Sequence, residues 1–468
     1  MDMKTARIVL AGFLFASGAF ASLLSAAPEA PTSVLATSES ASSFLITWED
    51  NSDNETGFRI ERRLPKGEWW LESVAPADTT NFVSAGCRAY TTYEHRVVAF
   101  NGDGESPSEV VSGTTLALLN QRRGAFIESG NARQGEGTFI KLKNGDLELY
   151  YSDMVTVSDL AEARVSKKVS KDGGKTWGEP EVVFVEKGMA LFLPSSKRLR
   201  NGQLAISYAR RVPGDWFSKR VIRFSDDEGK TWSDETVVSD GAYNYQTGSH
   251  DRFYQLSNGD LIILIHSVKG SPKRPHKLVT DVYGSIDQGK SWSCWTKESL
   301  DVDGNPHEYG EYGFWECAIA ELGGGEILLY GRNSTGWIYE CRSKDYGRSW
   351  SKPKQTQIRN PLAPPYLKRI PDTDTLMLLS TTMVEPGKRL IGDRYVLASR
   401  ISEDGGDTWK NHKEIEYHSH DMWYDYPNVL FDGDFVHLSY RAIELRPDKR
   451  WDRVHLGYQK LPLQWFTE

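Results

Sequence analysis

Residues 225–232 read Ser-Asp-Asp-Glu-Gly-Lys-Thr-Trp, and the same pattern, Ser-x-Asp-x-Gly-x-Thr/Ser-Trp, stands at Ser170–Trp177, Ser285–Trp292, Ser343–Trp350 and Ser402–Trp409. The five copies begin 55, 60, 58 and 59 residues apart. A period of this size means one supersecondary unit per copy. In each copy the Asp is placed to accept backbone N–H groups, the Gly to adopt φ > 0, and the Trp to supply a large apolar plate. The pattern predicts a tight turn between strands, a structural clasp with no chemistry of its own.

Beside the Asp turns runs a second repeat. Six apolar hairpins carry turns at Asn144-Gly145, Asn201-Gly202, Asn258-Gly259, Gly323–Gly325, Asp372–Asp374 and Asp432-Gly433. Six hairpins against five Asp turns imply six units, the last without its clasp. With four strands per unit, the expectation is an all-β fold, a six-bladed β-propeller over residues 117–468. A strand from the segment just after Leu118 should complete the sixth blade.

Strand direction then sorts residues by face. If the first strand of a blade descends to its hairpin turn, the Asp turn after the third strand lies at the same end. The opposite end collects Arg133, Glu136, Asp159, Arg210, Asp251, Arg252, His266, Glu316, Arg332, Arg394, Tyr424, Tyr426 and Arg441. Arginines converging with carboxylates and tyrosines around an axis suit the grip of an anionic group through paired N–H bonds.

The bulk numbers set bounds on the rest. A chain of 468 residues exceeds one typical core, so two domains are expected. The 15 Trp and 21 Tyr suit an all-β carbohydrate-active protein. A net charge of −8 argues against a nucleic-acid partner, because there is no broad basic field to replace counterions. Lys4 and Arg7, the apolar stretch from Ile8 to about Leu24 and the small residues up to Ala27 read as a cleaved export signal over residues 1–27. The expected location is therefore secreted or periplasmic, with no membrane insertion. Cys87, Cys294, Cys317 and Cys341 match no metal spacing and are too few for a disulfide scaffold. A pairing of Cys317 with Cys341 stays open. His418-x-His420-Asp421 is weighed as a metal cluster and set aside in favour of a loop, so neither metal nor other cofactor is expected.

Residues 28–116 alternate short β-type runs with turns, among them SSFLITWED, GFRIERRL and YEHRVVAF. The Pro-rich entry, Trp48 in its strand and Tyr93-x-x-Arg96-Val97 before Asn101-Gly102 resemble a fibronectin type III module. The resemblance implies a small β-sandwich ahead of the propeller, serving as a spacer or a ligand-binding module.

The propeller segment resembles the sialidase (neuraminidase) superfamily, on the five Asp turns and on Glu316 sixteen residues before Arg332 in ECAIAELGGGEILLYGR. That resemblance implies an exo-α-sialidase or close relative acting on a terminal acidic sugar of a glycan or glycoconjugate, with retention and a tyrosine nucleophile. A neutral phenol approaches an anomeric carbon that bears a carboxylate more easily than an anionic nucleophile would. Carried over by position, Asp159 is the acid/base, Glu316 activates the tyrosine, and Arg332 and Arg394 hold the sugar carboxylate, with Arg389 in reserve. Tyr424, eight residues before Asp432, is preferred as nucleophile; Tyr426 lies two residues on, on the same face of a regular strand.

The first blade departs from the family pattern. Its residues 131–137 read Asn-Ala-Arg-Gln-Gly-Glu-Gly, so that Gly135 or Glu136 stands where the resemblance expects an arginine. Arg133, Arg252 or Arg210 would have to substitute, and Glu136 would contact a hydroxyl or take a catalytic part. The rival readings are a sialidase-fold hydrolase or lyase for another acidic glycan, and a noncatalytic glycan-binding propeller.

Overall fold

The computed structural model describes residues 26–118, 124–239, 245–271, 273–303, 310–382, 394–417, 421–448 and 450–468. Residues 1–25 of the expected signal, Arg389, His418 and His420 lie outside them.

The N-terminal sandwich packs one sheet of Thr32–Ser38, Ser43–Glu49 and Asn81–Ala85 on a second sheet built around Gly57–Arg63, Trp70–Pro76 and Thr92–Phe100. Alternation along the strands delivers Phe44, Ile46, Trp48, Phe58, Ile60, Tyr93 and Val97 to one core.

Among the described residues six blades of four strands follow, the third with a short fifth strand, Glu311–Gly313, parallel to His276–Ser285. The first is Arg133–Lys141, Leu147–Met154, Ala163–Ser170 and Glu181–Phe184, and the inner strands of the next four begin at Ala190, Phe253, Trp315 and Tyr366. The sixth contains Met422–Asp432, Phe435–Leu445 and Trp451–Pro462, and its fourth strand is Ala125–Ile127, hydrogen-bonded antiparallel to Trp451–Pro462. The expected closing strand is thus found, and the first and sixth inner strands pack side by side. Second strands such as Leu147–Met154 and Leu376–Thr382 are buried along their whole length, because each is covered on both faces by neighbouring blades.

The five Asp turns share one geometry. In the second, Ser225 Oγ donates to Asp227 Oδ1 and accepts from the Gly229 amide at 2.8 Å, while Thr231 donates to the same carboxylate through its amide (2.9 Å) and its hydroxyl (2.7 Å). The Trp rings lean on the preceding blade: Trp232 packs edge-on against Tyr150, Trp409 against Tyr330, and Trp177 against Tyr458 across the closure. Glu228 accepts from the Lys143 amide at 2.9 Å, so this Asp turn sits beside a hairpin turn, at the end expected. Cys317 and Cys341 are free thiols in one apolar cluster, without a disulfide between them.

The sandwich is seated on the propeller. Arg359 donates to the backbone oxygens of Leu71 and Glu72, Ser40 donates to Glu414 at 2.6 Å, and the Ala89 amide donates to Tyr417 Oη at 3.3 Å. Ala41 joins the apolar cluster of Tyr395, Tyr417 and Trp423.

Candidate active site

The site arises from one local device used repeatedly. Near the start of the inner strand, Glu136, Leu193, Glu316 and Tyr426 adopt φ of 51, 56, 50 and 50°, each within a register shift against the second strand. Asp251, at φ 47°, precedes the inner strand of the third blade. Such bulges insert an extra residue and turn its side chain off the regular alternation, at about 1–3 kcal/mol of backbone strain each. Four of these five side chains, all but Asp251, line a cavity of about 350 Å³ at the end opposite the Asp turns.

The bulge decides between the two tyrosines. Tyr424 pairs regularly with Ala442 and joins the core with Tyr440, their rings 6.2 Å apart. Tyr426 lies in the bulge between Asp425 and Asn428 and enters the cavity. Counting back from Asp432 misleads, since Asp432 still pairs with Phe435 and the chain turns on Gly433 and Asp434.

Tyr426 donates its hydroxyl hydrogen to Glu316 Oε1, while Arg332 Nη1 donates to Glu316 Oε2 at 2.5 Å and to the Tyr426 oxygen at 3.3 Å. All three side chains are buried. Burial works to raise the Glu316 pKa, but the charge of Arg332, aided by His266 and the Tyr426 hydrogen bond, holds it below the ordinary value. Burial and the Glu316 charge push the Tyr426 phenol well above its ordinary range despite Arg332 and Arg441. The resting pair is a neutral phenol facing a carboxylate, the arrangement in which a phenol sheds its proton as it attacks.

A second network crosses the cavity. Arg441 donates through Nε and Nη2 to Asp425 at 2.6 and 2.8 Å and through Nη1 to Glu136 at 2.9 Å. Arg394 donates to Asp425 and to the Leu362 carbonyl. Arg133 bridges Glu136 at 2.7 Å and Asp159 at 2.6 Å. Asp159 stands at the mouth, its side chain 62% exposed. Burial of its neighbourhood works to raise its pKa, and the charge and hydrogen bond of Arg133 bring it below the ordinary carboxylate value. Trp315, Trp423 and Trp451 wall the cavity with Met154, Phe192 and Leu193.

Of the residues expected from the sequence, Arg133, Glu136, Asp159, Glu316, Arg332, Arg394 and Tyr426 meet around this cavity. Four do not. Tyr424 is turned into the core. Arg210 alternates outward from Arg211 and binds Glu186 and Glu235. Arg252 is buried over the ring of Tyr366, donating to the Pro365 carbonyl at 2.8 Å. Asp251 accepts from Thr138 at 3.2 Å and Tyr366 at 2.5 Å, one step further along the inner strands. Arg441 and His266 stand on the face predicted by strand direction but had no assigned role; the three tryptophans carried no signal, because an aromatic at a strand end is equally a core residue.

Comparison with known proteins adds the following. A model of the BNR repeat-like domain matches residues 190–438, and one of the fibronectin type III domain matches residues 29–114. Among solved structures, the NanB sialidase from Streptococcus pneumoniae superposes with a TM-score of 0.58 at 12% identity, over 94% of each chain. The intramolecular trans-sialidase from Ruminococcus gnavus, in complex with oseltamivir carboxylate, gives 0.58 at 14% identity over 74% of this chain and 98% of that one. A Dyadobacter fermentans protein of unknown function gives 0.56 at 17% identity, over 72% of this chain and 98% of that one. At these identities the likeness is one of fold. Protein sidekick-2 of Gallus gallus is 37% identical over 98 residues, a match spanning 19% of this chain and 4% of that protein.

Proposed function

Since this chain belongs to the BNR repeat-like domain family, behind a fibronectin type III domain, and shares the fold of sialidases, we propose that it is an exported glycoside hydrolase of the exo-α-sialidase type, or a close relative, releasing a terminal acidic sugar from a glycoconjugate. The observation that carries the reading is the couple of Tyr426 and Glu316 with Arg332 on the far side of the carboxylate. Tyr426 attacks the anomeric carbon while its proton passes to Glu316, and Asp159 protonates the departing glycosidic oxygen. Water then attacks the tyrosyl intermediate, Asp159 takes its proton, the C–O bond to Tyr426 breaks, and Glu316 returns the proton to the phenolate. Two inversions give net retention.

Among the described residues, six arginines and four carboxylates line the cavity, an excess of positive charge suited to an anionic sugar. Arg332 and Arg394 are assigned to its carboxylate. One observation favours a sugar other than an ordinary sialoside: Gly135 or Glu136 stands where the superfamily resemblance expects an arginine, and Arg133 is engaged by Glu136 and Asp159. A sialidase-fold hydrolase or lyase for another acidic glycan is the second reading.

The first test is turnover of fluorogenic α-sialosides and uronosides by the purified protein. Tyr426→Phe is expected to lower kcat by at least about 10²-fold with little change in binding, and Tyr424→Phe to stay within severalfold of wild type. Tight glycan binding with no turnover of any acidic glycoside would replace the hydrolase with a binding propeller.

A further inference from the structure

We infer that Arg441 is a positioning residue for the nucleophile, a guanidinium that the sixth blade lays against the ring of Tyr426 to favour the phenolate formed during attack. The inference rests on the reading of Tyr426 as nucleophile. Arg441 lies in Phe435–Leu445, directly opposite Asp425 and one pair before the bulge that carries Tyr426. It is buried, with its Cζ 3.9 Å from the centroid of the Tyr426 ring. Two carboxylates from different blades hold it there, Asp425 through Nε and Nη2 and Glu136 through Nη1.

Gly135 makes room for it: a Cβ at that position would stand 2.7 Å from both Cγ and Cδ of Arg441. The short Gly-Glu-Gly run of the first blade thus has a use. It clears the path for the stem of Arg441 and then supplies Glu136 to anchor the head. Where the superfamily resemblance expects a cation on the first blade, this chain carries Gly135 and the anion Glu136 and brings a cation in from the adjoining sixth blade.

A fixed positive charge within 4 Å of the ring favours phenolate over phenol, because its attraction to a full negative charge exceeds its cation–π attraction to the neutral ring. Glu316 acts the other way on the same group. Arg332 bonds Glu316 and the phenol oxygen together, so part of its charge offsets the carboxylate. Arg441 touches the ring and not Glu316; the charge of Asp425, which holds it, opposes it on the phenol but by less.

The test replaces Tyr426 with 2,3-difluorotyrosine in the full chain and follows its titration by fluorine NMR without substrate, alone and with Arg441→Gln, Arg441→Lys or Glu136→Gln. Arg441→Gln should raise the midpoint by about 1–2 pH units, and Arg441→Lys by less. Glu136→Gln, which leaves Arg441 held by Asp425, should leave it at or below the unsubstituted value. In the natural chain Arg441→Gln should lower kcat by roughly 10- to 100-fold with little change in KM, matching that shift. An unchanged midpoint in folded Arg441→Gln, or an upward shift shared with Glu136→Gln, would overturn the inference by pointing to loosened packing. Because the titration is read without sugar, it is separable from function: a midpoint shifted as expected in a protein inactive on every acidic glycoside removes the hydrolase reading, and with it the purpose assigned to Arg441.

Discussion

Tyr424 and Tyr426 stand two apart in one strand, a spacing that in a regular strand puts both side chains on one face. The bulge after Asp425 breaks that rule and sends one ring to the core and the other to the cavity. In the residues Tyr-Asp-Tyr-Pro-Asn only Pro427, which cannot donate to a ladder, marks the bulge; read as a regular strand, the segment made the composition of the site legible and left the identity of its tyrosine open. Arg210 failed for the opposite reason: strict alternation does hold there, and it turns Arg211 inward instead. A sharper consequence attaches to Arg133. A general acid works protonated, so activity falls as pH rises through its pKa. In the proposed role of Asp159 as that acid, Arg133, by holding its pKa low, would confine efficient protonation of a poor leaving group to acid pH. Arg133→Gln should move the alkaline limb of the kcat profile up by about 1 pH unit on a natural glycoside. An activated aryl glycoside, which needs no acid, should be nearly indifferent.

The elements were the most legible level. Each Asp turn is closed by its own side chains, so the pattern Ser-x-Asp-x-Gly-x-Thr/Ser-Trp carries the whole structure locally. The Asp227 carboxyl is held down at about 2, chiefly by the Thr231 hydroxyl and amide. A depressed carboxyl contributes its full stabilisation above the ordinary carboxylate range near 4 and loses it as pH falls toward 2. Asp227→Asn should therefore lower the melting temperature at pH 7, with a gap from wild type that narrows between pH 4 and 3. A constant gap would mean that the turn is held by packing of Trp232 and not by the charge. The hairpins were equally readable, from the five-residue loop of the first blade to the two-residue turns Gly324-Gly325 of the fourth and Gly433-Asp434 of the sixth.

Over the whole molecule, a fibronectin type III module read from sequence alone suggests a spacer, since surface patches on a sandwich carry no signature of what they touch. Here it packs against the fourth and fifth blades, through Arg359 and through Glu414 and Tyr417, and Ala41 belongs to the apolar cluster that contains Trp423 of the sixth, one wall of the cavity. A carboxylate at that position would meet apolar neighbours and the nearby Glu414, to which Ser40 and Ser42 on either side already donate. Ala41→Glu should destabilise the protein by roughly 2–4 kcal/mol in denaturant unfolding and raise KM more than it lowers kcat. Unchanged KM in the folded variant would restore the spacer view. The proposed hydrolase requires that Tyr426 form a bond to an acidic sugar. The most direct measurement is to incubate the protein with a 2,3-difluorinated acidic glycosyl fluoride, digest it and map the adduct by mass spectrometry. The account predicts one glycosyl group on the peptide that contains Tyr426, absent in Tyr426→Phe; an adduct on another residue, or hydrolysis of the natural glycoside with inversion, would contradict it.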